Sequence, residues 1–540
     1  MKKTNFLASE IVNTTLIFLL FAICFPGCGY EVPEIRKWEP HDFVYEFDAG
    51  KVQNPFDVKL TAQVTRPDGT EFTALGFYNG NNNMVIRISA NMEGTWFFVT
   101  HSDIEELNGH KERFVCIGNE NSAVRGQLLV DSDNPRHFIF EDGTVPFISG
   151  YECDWLWSID QGNEDISITE QFLDKISLFG FNYIVMNVYA YDTRWSPGIT
   201  SDYDFGPPLM IPWEGNNFSP DHSVLYIPFW EHFDRVIYAM HQRGIIAHLM
   251  LTVTNKIVNW PEPASEDDDR YFKYVISRYS AYPNIVWDYA KESYYTTDIE
   301  YKKNRLKLIR DTDPYGRLVT LHDDDKIFES HYDDLIDFHP DQYHLETRHQ
   351  RALEMREYRE WPVMNIEYAY EHGPGGMDDK LFRGPVVSPE ENYRRAWQIA
   401  MAGAYSTYYY TYTAWDVIRY DHTPQGYSYL KVMSDFFNHV GFSRFIPAVL
   451  LPEFSSLVND SEGYCMVSDD NREFIFYRFD SSEPFDISIL EITPGYEAVW
   501  IQPYTGEKRA AEGLDTGMAI PPSDWWFWRN IPIVLYISKL

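Results

Sequence analysis

The chain has 540 residues, enough for about three domains, and its hydrophobic content of 44% can support large packed cores. Aromatic residues make up 17%, a share that suits both sugar-stacking surfaces and β-sandwich cores. The formal net charge of −36 lacks the basic surface that nucleic-acid binding requires, so we predict no nucleic-acid partner. The same charge disfavours polyanionic substrates at long range, although a local lysine or arginine pocket can still hold a uronate or a sulfate.

The N-terminal residues are typical of an export signal. A basic start at Lys2 and Lys3 precedes the apolar run Leu16–Phe25, which is too short to span a bilayer. The following Pro-Gly-Cys28 resembles the end of a bacterial lipobox, with departures at positions 25 and 26. We predict a lipoprotein signal over residues 1–28, lipidation at Cys28 and an exported protein at the periplasmic or outer face of the envelope. Secretion with cleavage nearby is the alternative, and the lipid is the only membrane contact expected.

The remaining cysteines and the acidic runs indicate no cofactor. Cys116, Cys153 and Cys465 fall in three different predicted domains, so we expect no disulfide framework. No CxxC or Cys/His cluster indicates zinc. Acidic runs such as Glu266–Asp269 and Asp323–Asp325 are typical of solvated loops, and calcium binding there stays open. We predict no metal and no cofactor.

Residues 29–125 predict an N-terminal β-sandwich. Short alternating runs, among them Asp57–Val64 and Met84–Ile88, are separated by turn signals such as Pro67-Asp-Gly69. The run Gly94–Thr100 continues the pattern.

Residues 126–443 alternate between strands and helices and predict an α/β fold. The predicted strands are Val145–Gly150, Tyr183–Val188, Ile245–Leu251, Ile285–Tyr289, Leu318–His322, Leu335–His339, Val363–Glu367 and Tyr405–Thr411. The predicted helices include Ile168–Leu178, Phe229–Gln242, Asp269–Ser280 and Pro389–Ala402, the last capped by Ser388. Eight strands with intervening helices predict a (β/α)₈ TIM barrel, and no glycine-rich phosphate loop favours the doubly wound alternative.

Residues 444–540 return to short strands and predict a C-terminal β-sandwich. These strands are Cys465–Val467, Phe474–Arg478, Ile487–Ile492, Ala498–Ile501 and Val534–Ile537. The aromatic cluster Trp525–Trp528 is either a glycan platform or part of the sandwich core, and the pattern favours the core.

Two carboxylates end strand-like segments of the predicted barrel. Glu292 closes an apolar segment that begins at Asn284, and Glu367 closes Trp361–Glu367, 75 residues further on. At about 25 residues per strand–helix unit, this spacing places them at the carboxyl ends of the fourth and seventh barrel strands. Two facing carboxylates supply the proton donor and the attacking or water-activating base that glycosidic bond cleavage needs.

Several segments resemble one enzyme family. The stretches Tyr274–Glu292, Asp313–His322 and Pro362–Glu371 are similar to the apiosidase-like glycoside hydrolases of bacterial polysaccharide-degrading systems. The N-terminal sandwich resembles the uncharacterised domain that often precedes these barrels. The segment Val499–Glu507 is similar to a motif of their collagen-binding-like C-terminal domain.

The resemblance implies roles for the two glutamates. Glu292 would be the general acid/base and Glu367 the nucleophile of a retaining enzyme that acts on a plant or algal oligo- or polysaccharide. The sequence departs from the family at Lys291, where an asparagine is usual, and at Ile366, where a glycine is usual. Since that asparagine normally contacts the sugar 2-hydroxyl, apiose is not carried over as the substrate.

Other residues near the strand ends are candidates for substrate binding. Tyr343 is placed to donate a hydrogen bond to the nucleophile, Trp415 to form the floor on which a sugar stacks, and Glu371 to bind a hydroxyl or orient a neighbour. For Tyr343 and Trp415 the alternative is simple packing, and for Glu371 it is the nucleophile role assigned to Glu367. The further candidates are Asp154, Trp155, Asn187, Tyr189, His322 and His339.

Three rival interpretations remain. His248, His322 and His339 lie on three predicted strands and would suit zinc, but no His-x-His follows the first strand. A catalytically inactive surface glycan-binding protein on a barrel scaffold is the second, and Lys291 and Ile366 favour it. An adhesion module for host matrix is a weaker third. The sequence predicts no oligomeric state.

Overall fold

The computed structural model of the protein describes residues 32–194, 203–322, 331–376, 385–457, 463–479, 483–490, 495–525 and 531–539. The predicted signal with Cys28, the acidic run Asp323–Asp325 and the tryptophans at 526 and 528 lie outside these ranges. Within them, no helix has the length and apolar character needed to cross a membrane. The same residues contain no group of three or more His, Cys, Asp or Glu side chains arranged to hold a metal ion.

The N-terminal domain is a seven-stranded sheet that folds around its own core. Its spatial order is β1-β7-β6-β3-β4-β5-β2, and only the β1–β7 pair is parallel. Strands such as β3 alternate buried and half-buried residues, so one face packs inward around Trp96, Phe98 and Phe114. The strands are β1 (Glu34–Arg36), β2 (Pro40–Glu46), β3 (Leu60–Thr65), β4 (Glu71–Tyr78), β5 (Asn83–Ser89), β6 (Gly94–Ser102) and β7 (Lys111–Ile117).

The predicted (β/α)₈ barrel is confirmed. Its eight parallel strands run in the order 5-4-3-2-1-8-7-6, and Asp337 N donates to Val319 O at 2.9 Å to close the circle between the fifth strand and the segment before the sixth. The third and fourth strands are buried along their whole length, as expected for parallel strands covered on both faces. In chain order the elements from 128 to 410 are β8 (Leu128–Val130), β9 (Phe138–Phe140), barrel strand β10 (Ser149–Glu152), barrel strand β11 (Tyr183–Asn187), hairpin β12 (Trp213–Asn216) and β13 (Ser219–Leu225), barrel strands β14 (Ile246–Val253), β15 (Ile285–Lys291), β16 (Val319–Thr320), β17 (His339–Asp341) and β18 (Val363–Asn365), rim strands β19 (Tyr370–Glu371) and β20 (Val386–Val387), and barrel strand β21 (Tyr405–Tyr410).

Helices cover the outside of the barrel, and their starts follow local capping chemistry. Ser265, Asp298 and Ser388 each accept a hydrogen bond from a backbone amide in the first turn of α3, α4 and α6. The described helices are α1 (Ser167–Leu178), α2 (Ile227–Gln242), α3 (Glu266–Tyr279), α4 (Ile299–Thr312), α5 (Arg348–Tyr358), α6 (Pro389–Met401) and α7 (Gln425–Val440).

The sixth barrel strand differs from its prediction. The apolar run Leu335–His339 predicted a strand with His339 at its carboxyl end, but the strand is His339–Asp341. The amides of Leu335 and Ile336 donate to Tyr332 O instead, in a turn before the strand. His339 therefore begins the strand, and Gln342 follows its end. The first strand is shifted in the same direction, from the predicted Val145–Gly150 to Ser149–Glu152.

The C-terminal domain is an antiparallel sheet with its own core. Six strands run in the order β22-β23-β24-β29-β26-β27, and β25 pairs with β28. Trp525 is buried in this core, and the thiols of Cys116, Cys153 and Cys465 are all free and buried. The strands are β22 (Phe445–Pro447), β23 (Gly463–Ser468), β24 (Glu473–Arg478), β25 (Phe485–Asp486), β26 (Tyr496–Ile501), β27 (Lys508–Ala510), β28 (Met518–Ala519) and β29 (Ile533–Lys539).

Candidate active site

A buried lysine surrounded by carboxylates occupies the centre of the barrel mouth. Lys291 ends β15, and its Nζ contacts Glu152 Oε1, Asp154 Oδ1 at 3.2 Å and Glu367 Oε2 at 3.3 Å. All four side chains are 5% exposed or less. Burial opposes the lysine charge, but the surrounding carboxylates outweigh it and raise the pKa of Lys291 well above its ordinary value.

Glu292 leaves the strand through an unusual backbone conformation. Its φ of 53° and ψ of 47° lie in the left-handed region, which is uncommon for a residue with a side chain. Its carbonyl accepts a hydrogen bond from Thr254 Oγ1, and the next amide, that of Ser293, donates to His322 O at 2.7 Å. These bonds to the third and fifth strand ends hold the turn at the barrel mouth.

A single amide group contacts both predicted catalytic glutamates. Gln342 Nε2 donates to Glu292 Oε1 at 3.4 Å, and a hydrogen bond from the same side chain lowers the pKa of Glu367. The oxygen of this amide accepts from Tyr294 at 3.2 Å and lies 2.8 Å from His322 Nε2. The structure therefore brings Glu292 and Glu367 to one space, as the spacing of the two strands predicts.

The two glutamates have different surroundings. Glu367 is buried, and burial raises the pKa of its carboxyl group while Lys291 opposes the rise and Glu292 and Asp154 add to it. Glu292 is only half-buried. One glutamate thus contacts a fixed cation inside the barrel, and the other stands nearer to solvent.

Asp154 lies below the barrel mouth, and both of its carboxylate oxygens accept hydrogen bonds. Besides Lys291, it accepts hydrogen bonds from the Tyr409 hydroxyl, from Asn187 Nδ2 at 3.4 Å and from Trp415 N at 3.4 Å. Asp154 and Asn187 are completely buried, so both lie under the pocket and support it. They were predicted as substrate-binding residues, and the structure places them one layer deeper.

Trp415 stands at the rim with two lysines near its ring. Lys256 Nζ lies 4.2 Å and Lys291 Nζ 5.3 Å from the ring centroid. Trp415 has a left-handed φ of 54° and is partly exposed, and its role as a sugar-stacking floor stays a prediction. Burial lowers the pKa of Lys256, and Glu292 opposes this.

The predicted bond from Tyr343 to the nucleophile is wrong. The Tyr343 hydroxyl lies 2.8 Å from Thr347 Oγ1, and the guanidinium of Arg351 covers its ring at 4.8 Å. The neighbouring His344 faces the site instead, with Nε2 3.9 Å from Glu367 Oε1. Gln342 and His344 face the site and Tyr343 does not, as expected where side chains alternate in direction directly after a strand.

Glu371 is buried and bonded to neighbouring elements, and its role in substrate binding stays a prediction. Its carboxylate accepts hydrogen bonds from the Tyr408 hydroxyl at 2.9 Å and from Gly426 N at 3.0 Å, at the start of α7. Burial raises the pKa of Glu371 to about 7, against the lowering effect of these bonds. This carboxylate links the eighth strand to the helix behind it.

His339 and Tyr189 are also packed rather than directed into the mouth. His339 stacks beside Trp361 with ring centroids 5.0 Å apart, and burial lowers its pKa to about 4. The Tyr189 hydroxyl donates to Asn217 Oδ1 at 2.6 Å, and its ring contacts Trp213 and Trp260 edge-on. Trp155 is completely buried against Trp157 and Tyr191.

The three barrel histidines do not share a ligand position. His248 lies between the Tyr183 hydroxyl at 2.7 Å and Asp288 Oδ2 at 2.8 Å, whereas His322 supports Gln342. Burial, followed by the nearby Lys291, lowers the pKa of His322 to about 3. The His322 ring therefore acts on Glu292 through the Gln342 amide, and the His322 carbonyl acts on it through the Ser293 amide.

Sequence reasoning missed Glu152, Gln342 and Lys256, and noted Lys291 only as a departure from the family. Glu152 lies beyond Gly150, the predicted end of the first strand, but inside the observed strand. Gln342 lies three residues beyond the predicted end of the sixth strand but directly after the observed one. A run of polar residues directly after each apolar strand is the signal that points to them.

The barrel with two glutamates at its fourth and seventh strand ends defines the class of a TIM-barrel glycoside hydrolase. A family model for the apiosidase-like catalytic domain matches residues 132–434, more than half of the chain. The chain belongs to this family of glycoside hydrolases. Residues 34–103 match a domain of unknown function, DUF5060.

Solved structures share the architecture. A protein of Bacteroides vulgatus provisionally described as a glycoside hydrolase is 19% identical with a TM-score of 0.72, covering 94% of this chain and 100% of that one. A family 5 glycoside hydrolase of Bacteroides vulgatus is 16% identical with a TM-score of 0.55, covering 77% of this chain and 93% of that one. No curated protein matches the chain. At these identities the likeness concerns the fold.

Proposed function

We propose that the protein is a retaining glycoside hydrolase that cleaves a plant or algal oligo- or polysaccharide, with Glu292 as general acid/base and Glu367 as nucleophile. The observation that carries this proposal is the closeness of the two glutamates: Gln342 bonds Glu292 and lies near enough to Glu367 to lower its pKa, and the charge of Glu292 raises the pKa of Glu367. Two carboxyl groups near one another at the mouth of a barrel are what double displacement requires, one to transfer the proton and one to attack.

The proposed reaction has two steps. Glu292 donates its proton to the glycosidic oxygen while a Glu367 oxygen attacks the anomeric carbon, so the bond to the leaving group breaks and a glycosyl ester forms. Glu292, now ionised, takes a proton from water as the water oxygen attacks the same carbon and releases Glu367. The contact with Lys291 supports Glu367 as the ionised partner, and partial exposure of Glu292 suits exchange of its proton with solvent.

We also propose that the protein is exported and anchored by a lipid on Cys28. This proposal is supported by the basic start, the apolar run Leu16–Phe25 and the lipobox-like end of the predicted signal. Metabolic labelling with a palmitate analogue is expected to mark the wild type and not Cys28→Ala. Equal labelling of both would exclude this anchor.

The catalytic proposal is tested by turnover of a plant and algal oligosaccharide panel. Wild type is expected to release products, and Glu292→Gln and Glu367→Ala to lose about 10³-fold or more in kcat/KM. Glu300→Gln, at an exposed glutamate on α4, is the matched control and is expected to keep wild-type activity. The anomeric configuration of the first product, followed by NMR, distinguishes retention from inversion.

One observation favours a second function. Lys291 directly contacts Glu367. A buried cation that stabilises the carboxylate strongly would lower its reactivity as a nucleophile, and the protein would then bind a glycan without turnover. Binding of a panel member by wild type without cleavage, unchanged in Glu367→Ala, would support that function and exclude the hydrolase mechanism.

A further inference from the structure

The Lys291 cluster contains more carboxyl groups than its cation can neutralise. Glu152, Asp154 and Glu367 surround one ammonium group, and all of these side chains are buried. With every carboxyl ionised, the cluster would carry two net negative charges inside the barrel. Adjacent buried carboxylates resolve such repulsion by retaining a proton on one of them.

The hydrogen bonds of the cluster indicate where that proton resides. Asp154 accepts bonds from Lys291, Tyr409, Asn187 and the Trp415 amide, so each of its two oxygens already faces two donors. Glu367 contacts Lys291 and Gln342. Glu152 contacts Lys291 through Oε1 alone, and its buried Oε2 has no hydrogen-bond partner among the described residues. A protonated oxygen is the form least penalised there, because an unbonded buried anionic oxygen costs more free energy than a neutral hydroxyl.

We propose that Glu152 is the proton-holding carboxyl of this cluster and that Lys291 is the positioning residue that keeps the Glu367 carboxylate ionised and oriented. The role of Lys291 rests on the proposed function. The assignment of the proton to Glu152 concerns the substrate-free protein and does not depend on that function.

The assignment explains the charge balance through the reaction. With Glu152 neutral, Lys291 is shared between the Asp154 and Glu367 carboxylates, so the cluster carries one negative charge, on the group that attacks. When Glu367 becomes a neutral ester, Asp154 remains to pair Lys291, and no buried charge is left without a partner. A second anionic carboxylate at Glu152 would instead compete with Glu367 for the ammonium group.

The surroundings of Glu152 agree with this assignment. The titratable groups that face it are Lys291 from β15, Asp154 from its own loop, Glu367 from beyond β18 and Tyr409 from β21. Burial raises the pKa of Glu152 well above its ordinary value; Lys291 opposes this, while Asp154 and Glu367 add to it.

The location of the proton is tested first by infrared difference spectroscopy, in which the spectrum of substrate-free Glu152→Gln is subtracted from that of substrate-free wild type. Wild type at neutral pH is expected to show the carbonyl stretch of a protonated carboxylic acid, and this component is expected to disappear in Glu152→Gln. Glu371→Gln and Glu292→Gln are the comparisons, since burial raises the pKa of the Glu371 carboxyl to about 7 and Glu292 is the proton donor of the proposed mechanism, so both have to be assigned separately. A spectrum in which Glu152→Gln loses only an ionised carboxylate band would overturn the assignment.

Lys291 is tested by the kinetics of Lys291→Met on the substrate identified from the panel. We expect kcat to fall by about 10²-fold with KM nearly unchanged, because an electrostatic contact to the reacting carboxylate is lost. The activity of Lys291→Met should also need a higher pH, since Glu367 then ionises without its cation. Lys303→Met, on the surface of α4, is the control.

The outcomes separate the two proposals. A kcat of Lys291→Met within about threefold of wild type would overturn the positioning role. If Lys291→Met does not fold, Lys291→Gln replaces it, since it keeps a polar side chain among the carboxylates without the charge. The acid limb of kcat/KM, set by ionisation of Glu367, is expected to move to higher pH in this variant, and an unmoved acid limb would overturn the positioning role. Absence of turnover in wild type, with the infrared assignment intact, would remove only the hydrolase mechanism.

Discussion

At the scale of single residues, the site depends on Gln342 more than on the tyrosine beside it. The Gln342 amide contacts Glu292 and Glu367 and is itself held by Tyr294 and His322. Tyr343, the next residue, bonds Thr347 outside this group. Adjacent positions after a strand point in different directions, so the two residues have unequal importance.

Exchanging each of these residues tests this difference. Gln342→Leu is expected to lower kcat/KM by about 30-fold, because both glutamates lose a shared hydrogen-bond donor, whereas Tyr343→Phe should change it by less than about threefold. Steady-state kinetics on the panel substrate measures both. Equal losses in the two variants would contradict the geometry described for the sixth strand end.

At the scale of elements, the barrel closes through a side chain as well as through backbone bonds. Between the fifth and sixth strands, Asp337 N donates to Val319 O, and the Asp337 carboxylate accepts from Val319 N at 2.7 Å and from Arg310 at 2.8 Å. The carboxylate replaces a backbone acceptor that the short fifth strand does not find on its neighbour.

Removing this acceptor should weaken the closure. Asp337→Ala leaves the buried Val319 amide without its partner and is expected to reduce the free energy of unfolding by about 2 kcal/mol. Asp337→Asn keeps an oxygen acceptor and should lose less. Thermal unfolding of both variants decides this, and an unchanged Tm in Asp337→Ala would show that the carboxylate contributes nothing to closure.

At the scale of the whole molecule, an ion-pair network joins the N-terminal domain to the barrel. Arg87 from β5 pairs with Asp42 at 2.6 Å and with Asp234 of α2 at 3.0 Å, and Arg278 of α3 pairs with Asp234 at 2.8 Å. Both arginines are nearly fully buried. Burial disfavours the Asp234 charge, but Arg278 and Arg87 outweigh it and lower its pKa to about 2.

Asp234→Ala is expected to lower the free energy of unfolding by about 3–5 kcal/mol, because it leaves two buried guanidinium groups with fewer partners. Since the folded pKa of Asp234 lies below the unfolded value, its contribution is present above about pH 4 and is lost as the pH falls toward about 2, by roughly 2 kcal/mol. Unfolding of wild type and variant across this range measures it, with limited proteolysis reporting release of the N-terminal domain.

The control for this prediction is the surface pair Arg243–Asp174, in which the aspartate is 64% exposed. Asp174→Ala should be close to wild type because exposed ion pairs contribute little. A loss of stability equal to that of Asp234→Ala would show that burial of the network is not what makes it effective.

Much of the architecture was predictable because it follows from short-range pattern. Apolar runs alternating with amphipathic segments define the barrel, and Ser388 caps its helix as expected. Glu292 and Glu367 were identified from strand-end position together with family motifs. The sixth strand was misplaced because Leu335 and Ile336 are apolar enough for a strand, yet the chain turns there at Tyr332.

The sequence by itself determined the order of domains, the barrel and the strands that carry the two glutamates, since these depend on periodicity within each segment. Only the tertiary structure decided which side chains at the strand ends meet. Lys291 is in the site because it ends the fourth strand at the buried point where the first and seventh strand ends deliver three carboxylates. Tyr343, Glu371 and His339 face elsewhere because direction at a strand end depends on register and on the packing of neighbouring strands, and the local sequence does not encode either.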